Sequence, residues 1–128
     1  MSSDYIAGVF ATLARNPTAA DMDTLVEAHA RIGYLAAEAE NLYDMAVDAR
    51  KYEEAQAYLE VKQSAEQKVS DKAAEAMAQV KCWTYRTKET EAKVKAAKVK
   101  NLLESVEQAI NAIKFIGRFD SSAVSVPR

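Results

Sequence analysis

The sequence predicts an all-α fold: an elongated helical hairpin of two long helices with a short N-terminal helix, assembling into a helical oligomer. Three observations carry this. Of 128 residues, 25 are alanine, while only 3 are glycine and 2 are proline, far too few of either for a turn-rich β protein. Between Pro17 and Gly117 there is no proline and a single glycine, Gly33, in a stretch dominated by the strong helix formers Ala, Glu, Lys, Leu and Gln. Apolar residues recur through that stretch at intervals of three and four, the spacing of one helix face.

The first helix starts after Ser2 or Ser3, whose hydroxyls can accept from the free N–H groups of a first turn. Ile6, Val9, Phe10 and Leu13 fall on one face, and Asn16-Pro17 ends the helix because the residue before proline is driven out of the α region. Thr18 or Thr24 can cap the next helix, with Asp21 and Asp23 suited to the positive end of its dipole. This second helix runs from about Ala19 to about Val61, along the seam Met22, Leu25, His29, Ile32, Ala36, Ala39, Tyr43, Ala46. Past Arg50 the seam weakens and Tyr52, Tyr58 and Leu59 are the main apolar anchors. Unbent, such a helix is ~65 Å long at its usual rise, which favours an elongated molecule.

The polar run from Lys62 to Ser70 is the reversal point, with helix starts readable at Ser64 and at Ser70-Asp71. A third helix extends from about Asp71 to Ile116. Its C-terminal stripe, Val99, Leu102, Leu103, Val106, Ile110, Ile113 and Ile116, is the most amphipathic segment of the chain and is broader than one hairpin can cover. It is therefore the expected oligomerisation surface. Upstream the seam reads Ala76, Val80, Trp83, Thr87, Thr90, Val94, Ala97 and shifts by two residues on meeting Val99. Gly117 is placed as a helix stop. The expected organisation is one helical domain over residues 1–119 and a disordered tail over 120–128.

Composition excludes several chemistries. A lone Cys82 leaves no internal disulfide or CxxC site, and a lone His29, lying on the seam as a core residue, leaves no paired-histidine site. The acids are scattered with no ExxH element for a bundle-type metal pair. No nucleophile, base and oxyanion set can be assembled, so no catalysis, cofactor or metal is expected. The N-terminus lacks a basic region followed by a long apolar run, and no apolar stretch reaches membrane-spanning length, so a cytoplasmic protein is expected.

Charge is unevenly placed. From Thr18 to Lys62 there are ten acids against four bases; from Lys81 to Lys100 there are seven bases against Glu89 and Glu91. One reading makes these lysines the solvated face of a long helix, or the target of the acidic arm folding back. The other makes Lys81, Tyr85, Arg86, Lys88, Lys93, Lys95, Lys98 and Lys100 a stripe for single-stranded DNA, with phosphates on the cations and bases stacked on aromatics. Trp83 fits the seam and is expected to pack; Tyr85 lies off it and is the stacking candidate. Cys82 has cations beside it that would lower its pKa.

The run from Lys81 to Arg118 resembles the C-terminal helices of small helical proteins from tailed-phage recombination regions, in particular the UvsY-type recombination mediators. An aromatic and basic segment leads into Lys-rich heptads and ends in a Leu/Ile-rich helix. The pattern Ala109-Ile110-Asn111-Ala112-Ile113-Lys114 before Gly117 is similar to that family's end, and the segment from Tyr52 to Leu59 is similar to the family upstream. The resemblance implies a ring-like oligomer in the host cytoplasm that binds single-stranded DNA, partly frees it from a single-strand-binding protein and loads a recombinase. The chain departs from the family in being slightly acidic, with a formal net charge of −2. The expected function is thus a non-enzymatic phage recombination mediator. The alternative is a helical protein-interaction module (adaptor, assembly factor or inhibitor of a host system) that binds no nucleic acid. The two part on whether the basic stripe stays open or is covered by an acidic second helix.

Overall fold

A computed structural model describes residues 3–64 and 68–125, the last seven of them as backbone alone. The elements are α1 (Ser3–Ala14), a 3-10 turn (Ala19–Asp21), α2 (Met22–Ser64), α3 (Asp71–Lys81) and α4 (Trp83–Ser125). The all-α class, the two long helices and the short N-terminal helix are as the sequence predicts, and no strand occurs among the described residues.

Helix α1 closes through Asn16, whose φ of 59° is left-handed, a conformation asparagine tolerates better than most residues. The corner after it is fixed by Asp21. Its carboxylate accepts from the Thr18 backbone N–H at 2.8 Å and from the Arg15 guanidinium. The hydrogen bonds from Arg15 and then Thr18 hold the carboxyl below its ordinary range. Of the apolar face predicted for α1, Val9 is buried, whereas Phe10 is exposed.

At the other reversal, Ser70 caps α3 by accepting from the Ala73 N–H at 3.1 Å. Lys62 Nζ donates to the Val69 carbonyl and to Asp71, each at 2.8 Å, and the Tyr58 hydroxyl donates to the same carboxylate. Of the two helix starts read there, Ser70 is the real one. Ser64 instead ends α2 by donating back to the Glu60 carbonyl, and residues 65–67 lie outside the described residues.

The third helix, expected in one piece, is two. Cys82 stands between them with φ −102° and ψ 22°. Its N–H bonds the Ala78 carbonyl, and its own carbonyl receives the N–H groups of Tyr85 and Arg86. The inward residues of α3 recur at intervals of four (Ala74, Ala78, Cys82), and such a face rotates about 40° per step around a helix of 3.6 residues per turn. The break resets that rotation, so α4 begins its own inward face.

Gly117 is no stop either. It lies within α4, its φ is not positive, and the helix runs on to Ser125. A glycine ends a helix where the chain then needs a left-handed residue, and here no such residue is found. The tail expected to be disordered over 120–128 is helical to Ser125, and 126–128 lie outside the described residues.

The packing divides into two compact units: residues up to Ala36 with those from Lys98 onward, and Ala37–Ala97. The first has an apolar core of Val9, Leu25, Ala28, Ile32, Leu102, Val106, Ile110 and Ile113. Gly33 lies beside this core, where a β-carbon would make an ordinary van der Waals contact with Leu103 Cδ1 at 3.9 Å. The second has a thin core of Ala57, Ala78 and Cys82 flanked by Tyr58 and Tyr85.

Candidate functional site

In the Ala37–Ala97 unit the inward face of α4 is not the one apolarity suggests. Besides Arg86, the half-buried residues are Tyr85, Glu89, Ala92 and Ala96, which continue into Val99 at spacings of four, three, four, three. There is no shift at Val99. The expected upstream seam of Trp83, Thr87, Thr90, Val94 and Ala97 faces out: Trp83 is 66 % exposed and Val94 47 %. The roles assigned to the two aromatics are therefore exchanged. Tyr85 packs against the alanine core, and Trp83 presents its ring to solvent.

Helix α2 behaves the same way. Its inward seam passes Ala39, Tyr43 and Ala46 as expected and then continues through Arg50, Glu54, Ala57 and Val61. Tyr52 and Leu59, read as anchors, are exposed. Two of those inward positions carry charge, and α4 answers them. Arg50 donates from Nε and Nη2 to the two carboxylate oxygens of Glu89, at 2.8 and 3.2 Å. Arg86 donates from Nε and Nη2 to Glu54, which also receives Arg50. The side chains of Arg50, Glu54 and Glu89 are less than one-fifth exposed. Hydrogen bonding from Arg50 holds Glu89 below its ordinary range against the opposing effect of burial. Charge pairs thus occupy positions where the seam would otherwise be apolar.

This dissolves the predicted basic stripe as a single surface. Arg86 is spent on Glu54, and Lys81 belongs to α3 beyond the break. Lys88, Lys93 and Lys95 are exposed, with the Lys88 ammonium 5.8 Å from the Tyr85 ring centre. At 100° per residue, Lys88 and Lys95 lie on one flank of the inward face and Lys93 on the other, roughly 150° away. Lys98 and Lys100 are exposed too but belong to the other unit.

The C-terminal stripe is likewise reassigned. Leu102, Val106, Ile110 and Ile113 are buried, and Val99 and Leu103 pack beside them, all in the core that α1 and α2 supply within the same chain. Only Ile116, with Phe115, stays exposed. The expectation that one chain could not cover this stripe fails because α1 lies against it: Val9 joins the core, with Ile6 and Leu13 packed beside it.

His29 is not a core residue but a partly exposed one, its Nε2 2.9 Å from Glu107 Oε1. Cys82 is buried. Burial first, then Glu54 and Glu53, push its thiol up, the opposite of the activation its cationic neighbours suggested. Among the described residues no group of His, Cys, Asp and Glu could hold a metal ion, and no helix is long and apolar enough to cross a membrane.

Besides Met77 and Val80 of α3, two further stripes of this unit are exposed. On α2, Leu42, Met45, Ala49, Tyr52, Gln56 and Leu59 face solvent at spacings of three, four, three, four, three. On α4 the outward set is Trp83, Thr87, Thr90, Val94 and Ala97. The hydroxyls of Thr87 and Thr90 donate to the carbonyls of Trp83 and Arg86 four residues back. No protein-family model, no curated protein and no solved structure matches the chain.

Proposed function

We propose that the chain is a non-enzymatic helical interaction module, an adaptor or assembly factor whose working surfaces are helix faces. One observation carries this reading: α2 and α4 each bear a second, exposed heptad stripe in addition to the one they use to pack. A helix with a single core needs only one such stripe. The test is photo-crosslinking in cells from benzophenone side chains placed singly at Leu42, Tyr52 and Val94, with exposed Gln63 as the control position. Adducts from the stripe positions and none from the control are expected; equal yields from all four would refute the reading.

Binding of single-stranded DNA, in a phage recombination mediator acting with a recombinase or a single-strand-binding protein, is the second reading. It draws on the exposure of Trp83 and of Lys88, Lys93 and Lys95 along the same helix. Its test is fluorescence anisotropy on labelled oligo-dT at two salt concentrations. Lys93→Glu with Lys95→Glu should weaken binding and flatten the salt slope, since fewer counterions are released. Trp83→Ala should cost about 1–3 kcal/mol per stacked base with the slope unchanged. No binding by the unaltered protein at low salt would remove this reading and leave the first.

A further inference from the structure

From this reading we infer that the partner is a second copy of the chain: the outward stripe of α2 in one copy seats the outward stripe of α4 in the next. The two stripes match in kind. Each is a three-four repeat, the geometry that packs one helix along another. They match in length, since Leu42 to Leu59 spans about 26 Å and Trp83 to Ala97 about 21 Å at 1.5 Å per residue. They match in shape. The α4 stripe sets the large Trp83 ring and Val94 among smaller side chains, and Thr87 and Thr90 turn their hydroxyls back onto their own helix, leaving their methyls outward. The α2 stripe sets Ala49 between the larger Met45 and Tyr52, so one surface offers a hollow for the other's projection.

Charge identifies the occupant. The exposed charged residues set three or four positions from a member of the α2 stripe are Glu38, Asp48 and Glu60, all acids. Those so placed beside the α4 stripe are Lys93, Lys98 and Lys100, with Glu91 as the one acid. Either stripe paired with itself sets like charges along its rim, which opposes association. Paired with each other they are complementary. This gives the exposed Lys93, Lys98 and Lys100 a role. Since different surfaces meet, the contact is head-to-tail: the dimer as a whole keeps one free stripe of each kind, and association continues past it.

The experiment is sedimentation velocity on the full chain over roughly a hundred-fold range of concentration, at low and high salt. The mass should climb with concentration, less so at high salt. Met45→Glu with Tyr52→Glu blocks the α2 stripe, and Thr87→Glu with Val94→Glu blocks the α4 stripe; all four positions are exposed, and circular dichroism checks that both variants stay helical. Each variant alone should sediment as a monomer. Mixed in equal amounts they restore one intact contact, and the mass should double and then stop. An unaltered protein that stays monomeric throughout, variants that associate as it does, or a mixture that remains monomeric would each overturn the inference. Crosslinked adducts to a foreign chain, with a monomeric purified protein, would overturn it while the interaction reading stands.

Discussion

Replacing Arg50 and Glu89 by leucine, singly and together, tests whether charges really occupy the seam between α2 and α4. The pair makes two hydrogen bonds with both side chains 19 % exposed. Solvent-exposed pairs contribute about 0.2–1 kcal/mol, and breaking a fully buried pair costs about 3–5 kcal/mol. This pair lies between, so each single change should cost about 1–3 kcal/mol. Glu89→Leu leaves the guanidinium with only its longer contact to Glu54, at 3.4 Å; Arg50→Leu removes the hydrogen bonds of the Glu89 carboxylate and leaves it only the more distant charges of Arg86 and Lys51. The double variant puts two leucines at facing inward positions and removes both stranded charges. It should therefore be less destabilised than the two single costs added, with a coupling of about 1–2 kcal/mol. Urea unfolding followed by circular dichroism at low protein concentration measures all four corners of the cycle. Costs that add within ~0.5 kcal/mol, as for independent sites, would show that the two side chains do not face each other and would refute the seam.

Three further outcomes are expected from the same geometry. Ala92→Asp, at an inward position, should lower stability by about 1–3 kcal/mol through burial of an unpaired charge, whereas Val94→Asp, two residues on but outward, should leave unfolding at low concentration unchanged; reversed urea midpoints would restore the seam that apolarity suggests. Gly117→Ala should raise stability by about 0.5–1 kcal/mol, because the residue is helical with open space around it, and a loss would mean that the position needs a left-handed backbone. Acid should act through Glu89, Asp21 and Asp71, each held below its ordinary value, which is 4.5 for the first and 3.8 for the others, by hydrogen bonds from Arg50, Arg15 and Lys62 respectively. Their stabilising effect is complete well above those ordinary values and is lost as the pH falls through the lower folded ones, so urea midpoints should be level from neutrality to about pH 5 and drop below it, less steeply in Glu89→Gln; a level response into strong acid would contradict the pairing.

The parts of this fold that were legible in the sequence are those where apolar side chains alone decide. The helical class, the Asn16-Pro17 corner, the Ser70 cap and the stripe from Leu102 to Ile113 all come from pattern and capping chemistry. The inward faces of Arg50, Glu54 and Glu89 were hidden because hydrophobic patterning assigns charge to the surface, and that assignment sent Trp83 and Val94 inward in their place. The partner of the C-terminal stripe was hidden for another reason. That α1 folds back to cover Val106 and Ile110 is a long-range contact that no local spacing encodes. Among the candidate site residues, the exposure of Lys88, Lys93 and Lys95 was foreseeable, but their division between two flanks needed the position of the inward face.

The charged cluster has one more consequence, for alignment along the helices. The inward residues around it, Ala46 and Ala57 on α2 and Ala92 and Ala96 on α4, are nearly identical in size, and a row of alanines packs almost as well when one helix slides along the other by a heptad. Such a slide would set Arg50 opposite Cys82 or Ala96 in place of Glu89, stranding a guanidinium against a thiol or a methyl group. Single polar residues in otherwise uniform helix seams fix register in this way. Arg50 and Glu89, with Glu54 and Arg86 as a second pair, give this smooth interface one depth at which every charge is met.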